Sequence, residues 1–232
     1  MKRSALLFFF FFLFTLLTVN AQKINPENIL GADISFLPQL EAKGIVFSDQ
    51  GVAKDAILIL KEKGFNYIRL RIFVNPAADS GYSPKKGFCD LTHTIAMAKR
   101  IKAAGMKFLL DFHYSDNWAD PGHQIKPSAW ENLKFPELKQ ALKKHTVEVL
   151  TALKKQDCFP DMIQVGNEIN HGIVWPEGNN ANMDQLIDLL KEAVAGVRKV
   201  SKSVPIMMHI ACGGQNEESV KFIDQLIAKH VS

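Results

Sequence analysis

An Asn-Glu pair, Asn167 and Glu168, ends a short apolar stretch at residues 161–167 and opens into a polar, aromatic loop that reaches Trp175. A carboxylic acid at the end of a buried strand is partly desolvated, which favours its protonated form. We therefore expect Glu168 to act as a general acid/base. The alternative is a Glu that only caps the strand end through a salt bridge, because structural ion pairs also perturb carboxylates.

Two arginines lie on the same face of a second predicted strand, residues 66–73. Read with a period of two, residues 66–73 place Tyr67, Arg69 and Arg71 on one face and apolar side chains on the other. Strands buried on both faces are usually apolar throughout. Because a buried guanidinium without a partner costs on the order of several kcal/mol, the arginines are expected to have buried carboxylate or substrate partners.

Polar, titratable residues also occur in or at the end of the other apolar stretches. They are Asp33, Asp111, His113, Glu168 and His209. For any one of them, a hydrogen-bonded core residue is the simpler interpretation. Together with the arginine-containing stretch, five apolar stretches carry such residues, and this favours a functional site.

The residues that follow the third stretch, 113–130, have the composition of a sugar-binding loop. Asp116, Trp118 and Trp130 occur there together with Tyr, Asn and His. Aromatic faces stack on the apolar side of a pyranose, while carboxylates and amides bind its hydroxyl groups. Trp175 would add a third platform, whereas Trp130 could simply plug the mouth of the fold.

No metal site and no cofactor are expected. His113 and His123 are separated by nine residues, and no helical His pair accompanies them. This spacing is weak evidence for metal ligands.

The elements that must position these residues alternate between strands and helices, which is typical of βα units and a parallel sheet. Strands are predicted near 31–35, 66–73, 106–113, 161–167 and 205–210. Helices are predicted near 52–63, 91–104, 135–155, 183–201 and 217–230. The long loops follow the strands, at 37–51, 75–90, 114–134 and 171–182, on the side where such folds place their sites.

The fold class predicted is α/β, of the (β/α)8 TIM barrel type, incomplete with about five βα units. A closed barrel has eight units and about 250 residues. The alternative is an open doubly wound sheet, but the turn after the first strand has no phosphate-binding glycines.

The N-terminal residues 1–21 are predicted to be a signal peptide, and residues 22–232 one barrel domain truncated after its fifth unit. Met1-Lys-Arg precedes an apolar run at 5–19, whose 15 residues are fewer than the roughly 20 of a membrane span. An uncleaved anchor is the alternative. We expect a protein that is secreted or periplasmic.

The charge and cysteine content exclude several classes of partner. Removing Lys2 and Arg3 leaves 26 basic residues against 24 acidic ones, without a basic block, so neither nucleic acid nor a membrane surface is an expected partner. A monomer is expected. The three cysteines are too few for a disulfide framework and form either one bridge with a spare thiol or three free thiols.

Four long motifs, the last accompanied by a short WPEG segment, resemble glycoside hydrolase family 53, and the resemblance covers the whole mature chain. They read GADISF at 31–36, NYIRLRIFVNP at 66–76, DFHYSDNWADPG at 111–122, QVGNEIN at 164–170 and WPEG at 175–178. The resemblance implies a (β/α)8 barrel with endo-β-1,4-galactanase activity on pectic galactan or arabinogalactan. It also implies retention of configuration by two glutamates, an acid/base after the fourth strand and a nucleophile after the seventh.

The same resemblance implies roles for individual residues. Glu168 looks like the acid/base, and Asn167 like the residue that holds the sugar 2-hydroxyl. Arg71, with Arg69 behind it, resembles the arginine that orients the nucleophile. The remaining subsite residues that it implies are His113, Asp116, Trp118 and Trp175.

The chain departs from this family at the nucleophile. Retention requires a second carboxylate about 5–5.5 Å from the first. The acidic residues after Glu168 all lie in expected loops or helices: Glu177, Asp184, Asp188, Glu192, Glu217, Glu218 and Asp224.

We therefore expect the chain to be a fragment that lacks the nucleophile, so that activity of the chain alone is not expected. A non-catalytic galactan-binding remnant is the second hypothesis. A related β-1,4-mannanase or cellulase is the third.

Overall fold

The structure is a computed structural model that describes residues 28–231. The signal peptide predicted at residues 1–21 lies outside the described residues. None of the helices within the described range is both long and apolar enough to cross a membrane.

The described residues form nine strands and six α-helices. The strands are β1 (Gly31–Asp33), β2 (Ser48–Asp49), β3 (Val52–Ala53), β4 (Tyr67–Ile72), β5 (Lys107–Phe112), β6 (Met162–Val165), β7 (Gly172–Ile173), β8 (Gly178–Asn179) and β9 (Ile206–Met207). The helices are α1 (Leu37–Ala42), α2 (Ala56–Glu62), α3 (Leu91–Ala103), α4 (Phe135–Lys155), α5 (Met183–Val200) and α6 (Asn216–Ala228). Short 3₁₀ turns occur at Ser128–Trp130, Ile169–His171 and Asn180–Asn182.

Five strands make one parallel sheet in the order β1-β4-β5-β6-β9. Each strand of this sheet pairs with the strand of the same sheet that comes next in the sequence, and a helix follows each of the five. A doubly wound sheet would reverse its strand order at a switch point. The sequential order is that of a (β/α) barrel, and the predicted fold class with five βα units is confirmed.

The strand register places the polar residues of the sheet side by side. Asp33 pairs with Arg69 between β1 and β4. One layer nearer the carboxyl ends, Arg71 pairs with Asp111, and Asp111 pairs with Gln164. Because side chains alternate along a strand, all of these point to the same face of the sheet.

The other face of the sheet forms the hydrophobic core with the helices. Ile68 and Leu70 of β4, Phe108 and Leu110 of β5 and Ile101 of α3 are all buried. This packing fixes the strands from one side, and the polar face is left for function.

The chain between β1 and α2 differs from the prediction. The helix expected from residue 52 begins at Ala56, because the Asp55 side chain accepts a hydrogen bond from the Ile57 N–H at 2.7 Å and caps it there. The strands β2 and β3 form an antiparallel hairpin just before that cap. The expected loop at 37–51 contains the short helix α1.

The cysteines are all free thiols, so the second of the two alternatives is correct. Cys89 and Cys158 are buried, and Cys212 is exposed. Burial raises the pKa of Cys89 to about 11, which keeps this thiol protonated near neutral pH.

Candidate active site

A chain of ion pairs crosses the polar face of the sheet. The Arg69 guanidinium donates to Asp33 Oδ2 through Nη1 at 2.7 Å and to Asp111 Oδ2 through Nη2 at 2.6 Å. Asp111 is fully buried, so its charge is stabilised by these donors and not by water. The expectation of buried carboxylate partners for the arginines is confirmed for Arg69.

Two amide side chains extend this network to the end of β6. Gln164 donates to Asp111 Oδ1 at 2.6 Å. Asn167 Oδ1 accepts hydrogen bonds from Arg69 Nη2 at 2.8 Å and from His209 Nδ1 at 2.8 Å, while Asn167 Nδ2 donates to the Ala119 carbonyl at 2.7 Å. With the amide fixed in this orientation, one N–H of Asn167 is left for a ligand.

His209 supports this arrangement as a neutral ring. Burial is the largest cause that lowers the pKa of His209, and the nearby Arg69 charge lowers it further. Because Asn167 Oδ1 can only accept, the hydrogen on His209 is assigned to Nδ1.

Glu168 lies in a left-handed turn directly after β6. Gly166 has φ +82° and Glu168 has φ 51° and ψ 53°, so the chain turns sharply where the strand ends. The Glu168 side chain is partly exposed. It makes no hydrogen bond or ion pair with any other residue in 28–231, so the alternative of a strand-end salt bridge does not apply within the described chain.

Arg71 lies beneath an aromatic wall. Its guanidinium carbon lies 4.0 Å from the centre of the Trp118 ring and 5.6 Å from that of Tyr82. Its ion pair with Asp33 is long, at 3.4 Å. The side chain is only 5% exposed, and its buried Nε has no partner among the described residues.

His113 lies under the same wall and is buried. Its Nδ1 accepts the Ala119 N–H at 3.0 Å, which places the ring hydrogen of the neutral form on Nε2. His113 Nε2 lies 2.9 Å from Asp111 Oδ2, in an orientation that does not make a hydrogen bond. The ring meets Trp118 edge to face at 5.8 Å, so His113 supports Trp118 from below.

Asp116 organises the loop after β5. Its carboxylate accepts the Asn75 N–H at 2.9 Å, the Ser128 N–H at 2.9 Å and the Ser128 hydroxyl at 2.8 Å. These bonds use both oxygens. The predicted subsite residue Asp116 therefore has a structural task in addition to its place in the pocket wall.

A cavity of about 550 Å³ lies between the loops that follow β4, β5 and β6. Trp118, which is 46% exposed, and Trp175 line it together with Asn117, Lys126 and Glu131. The remaining lining residues are Ser80, Ser115, Asp116, Ile125, Ser128 and Pro176. Its size and its aromatic and polar lining suit a sugar ring.

Trp130 and His123 do not line this cavity. Trp130 is buried and packs edge to face on His145 at 6.0 Å, as expected for a residue that plugs the fold. His123 is exposed and pairs with Asp120 at 3.0 Å. The described residues contain no group of three His, Cys, Asp or Glu side chains placed to hold a metal ion.

Most of the acidic residues after Glu168 have other partners. Glu177, Asp184, Asp188 and Glu192 each pair with a lysine at 2.8–2.9 Å. Glu218 accepts the Asn170 amide at 2.8 Å from the first turn of α6. These contacts engage the carboxylates in ion pairs with lysines and in a contact between a loop and α6.

Sequence reasoning missed two buried glutamines, Gln164 and Gln124. A polar residue in an otherwise apolar strand was an available signal for Gln164. No local signal marks Gln124, whose side chain reaches the backbone of Asn167, 43 positions away.

Comparisons with known proteins agree with this geometry. The family model described as glycosyl hydrolase family 53 matches residues 29–232. The Ignisphaera aggregans GH53 catalytic domain superposes with a TM-score of 0.84 at 42% identity, over 88% of this chain and 57% of that chain.

Two curated relatives match along most of the chain. The arabinogalactan endo-beta-1,4-galactanase of Cellvibrio japonicus is 37% identical over 81% of this chain and 50% of its own length. An uncharacterized protein in the bgaB 5' region of Niallia circulans is 44% identical over 86% of this chain and 55% of its own. The chain thus spans about half the length of these curated relatives.

Proposed function

The chain belongs to glycosyl hydrolase family 53, and from this premise we propose that it forms the acid/base half of a retaining endo-β-1,4-galactanase. The substrate we propose is the β-1,4-linked galactan of pectic galactan or arabinogalactan. The Cellvibrio japonicus relative, an arabinogalactan endo-beta-1,4-galactanase, supports this substrate class. We further propose that the protein is secreted or periplasmic and acts on polysaccharide outside the cytoplasm.

One observation carries the proposal. The Glu168 carboxylate is partly exposed at the carboxyl end of β6, without a hydrogen bond or ion pair to another described residue, although its neighbour Asn167 is held by the network of Arg69 and Asp111. A carboxyl group left free beside a rigid polar platform can exchange a proton with a ligand.

The proposed chemistry gives each residue of the network a task. Glu168 donates a proton to the leaving glycosidic oxygen and later removes one from the attacking water. The remaining N–H of Asn167 donates to a sugar hydroxyl next to the scissile bond. Because Arg69 holds the Asn167 oxygen, this hydroxyl must accept the hydrogen bond.

The second carboxylate, by this proposal, comes from a part of the protein outside these 232 residues. A retaining mechanism needs it about 5–5.5 Å from Glu168. The lysine pairs of the later acidic residues on α5 support this, because these carboxylates are already occupied. Arg71 is the residue we propose to orient the incoming nucleophile.

Trp118 and Trp175 are the proposed sugar platforms. Both line the cavity of about 550 Å³, and the Trp175 indole is fixed by a hydrogen bond to the His171 carbonyl at 2.9 Å. A platform that is already fixed loses little entropy when a sugar binds. His113 contributes by supporting Trp118.

The experiment compares the chain alone with a chimera. The chain alone should not hydrolyse β-1,4-galactan. In the chimera, this chain takes the place of the part of the Cellvibrio japonicus enzyme that it matches. The chimera should hydrolyse β-1,4-galactan, and Glu168→Gln in the chimera should lower kcat by about 10²- to 10⁴-fold. Glu192→Gln, in an ion pair on α5, is the matched control and should leave kcat unchanged.

Two other results would change the proposal. A folded chimera that binds galactan without cleaving it would favour the non-catalytic remnant. Hydrolysis by the chain alone, lost in Glu168→Gln, would show that another carboxylate of this chain serves as nucleophile.

A further inference from the structure

The turn that carries Glu168 has little regular hydrogen bonding of its own. The strand β6 ends at Val165, and the following residues take left-handed conformations at Gly166 and Glu168. Carbonyl groups in such a turn cannot join the sheet ladder and need other donors. The position of the Glu168 side chain therefore depends on what binds these carbonyls.

Two glutamine side chains supply the donors. Gln164 Nε2 donates to the Gly166 carbonyl at 2.9 Å from within the strand. Gln124 Nε2 donates to the Asn167 carbonyl at 2.8 Å from the loop after β5, and it lies 3.5 Å from the Glu168 carbonyl. The turn is thus held from both sides.

Gln124 also connects this turn to the sugar cavity. Its backbone carbonyl accepts the Trp175 N–H at 2.6 Å, and the next residue, Ile125, pairs with Trp175 in a parallel bridge. Trp175 and Ile125 both line the cavity. Residue 124 therefore contacts both Trp175 and the backbone of Asn167 and Glu168.

The burial of Gln124 indicates that its amide group serves the contact with the Asn167 carbonyl. The side chain is 1% exposed, and its Oε1 has no partner among the described residues. An unpaired buried acceptor is unfavourable, and an apolar side chain would avoid it. The donor function of Nε2 explains why an amide occupies the position.

We propose that Gln124 is a positioning residue that holds Glu168 in place and couples its position to occupancy of the cavity at Trp175. The coupling rests on the proposed function, because it assumes that the ligand of the cavity is a galactan chain. The positioning of Glu168 does not depend on that assumption.

The test follows Glu168 and Trp175 separately by NMR, with ¹³C-carboxyl-labelled Glu and ¹⁵N-labelled Trp. The Glu168 signal is assigned by its absence in Glu168→Gln. On addition of β-1,4-galactotetraose, the Glu168 carboxyl and the Trp175 indole of the unsubstituted chain should shift with one saturation curve. In Gln124→Leu, the Glu168 shift should be lost while the Trp175 indole still responds.

A second variant and a matched control complete the experiment. Gln124→Asn keeps an amide but is one methylene too short to reach the Asn167 carbonyl, so it should behave like Gln124→Leu. Gln39→Leu removes a glutamine whose side chain accepts a hydrogen bond from the Tyr82 hydroxyl at 2.6 Å and makes none with the turn that carries Glu168, so it should behave like the unsubstituted chain. A purely structural role for Gln124 would change the two signals together.

The ¹³C chemical shift of the Glu168 carboxyl without sugar separates the two proposals. This chemical shift should change in both Gln124 variants and stay the same in Gln39→Leu. An unchanged Glu168 carboxyl shift in both Gln124 variants overturns the positioning role, and a Glu168 response to galactotetraose that survives in them overturns the coupling. An indole of Trp175 that ignores galactotetraose in the unsubstituted chain overturns the proposed substrate instead.

Discussion

Protonation of His145 should destabilise the fold at acidic pH. The His145 ring lies on α4 against Phe112 at 5.9 Å, Tyr114 at 6.4 Å and Trp130 at 6.0 Å. Although the ring is partly exposed, its Nε2 is sealed from solvent and has no hydrogen-bond partner among the described residues. Burial lowers the pKa of His145 from 6.5 to about 4, because this site cannot solvate a cation.

The sign and size of the effect follow from this shift. Between pH 6.5 and about 4, the unfolded chain binds a proton at His145 that the folded chain does not bind, so the free energy of unfolding decreases as the pH falls. At about 1.4 kcal/mol per pKa unit, the full loss is about 3.5 kcal/mol. It is complete below the folded pKa and absent above the unfolded one.

Urea denaturation followed by tryptophan fluorescence measures this effect from about pH 4 to about pH 7. His145→Phe keeps an aromatic ring of similar size without a titrating group. The unsubstituted chain should lose roughly 2–3 kcal/mol relative to His145→Phe across the window, whereas His230→Gln, at an exposed site, should follow the unsubstituted chain. Parallel curves for the unsubstituted chain and His145→Phe would refute the reasoning.

Three further substitutions test the site. Asp111→Leu should cost about 3 kcal/mol in urea denaturation because it removes the buried carboxylate that binds Arg69 Nη2 and leaves Asp33 as the carboxylate partner of that guanidinium; adding Arg69→Met should reduce the loss, and a double variant no more stable than Asp111→Leu would contradict the ion-pair argument. Gly166→Ala places a Cβ 2.5 Å from an isoleucine methyl carbon at φ +82°, so it should cost more than Gly44→Ala at φ +78° in open space, by about 1–3 kcal/mol in the same assay. Trp118→Ala should weaken binding of β-1,4-galactotetraose by about tenfold in calorimetry with the melting temperature little changed, and unchanged affinity would remove Trp118 from the proposed subsite.

The sheet and its ion pairs could be predicted because they depend on short periods. Alternation along β4 places Arg69 and Arg71 on one face, and parallel strands bring their carboxyl ends to one edge. Asp33 and Asp111 then fall beside the arginines by register alone. No loop conformation is needed to reach that conclusion.

The loop contacts could not be predicted because they join distant parts of the chain. Gln124 meets Asn167 only when the loop after β5 has closed over the end of β6. The composition of the loop predicts Asp116 to be a sugar ligand, yet the carboxylate oxygens of Asp116 accept hydrogen bonds that fold this loop. A polar residue in a long loop has many possible partners, and only the tertiary structure selects among them.

The N–H donors of the Arg71 guanidinium are only partly satisfied, which gives a physical reason why a second carboxylate fits this site. On the polar face of the sheet, Asp33 and Asp111 balance the two arginines in charge, but both are bound mainly by Arg69. Arg71 has a 3.4 Å contact to Asp33 and a buried Nε without a partner among the described residues, while Trp118 covers the face of its guanidinium. A buried guanidinium gains most from a carboxylate that approaches its edge. An anionic side chain supplied from outside these residues would meet that need, as the second carboxylate of the proposed retaining mechanism would do.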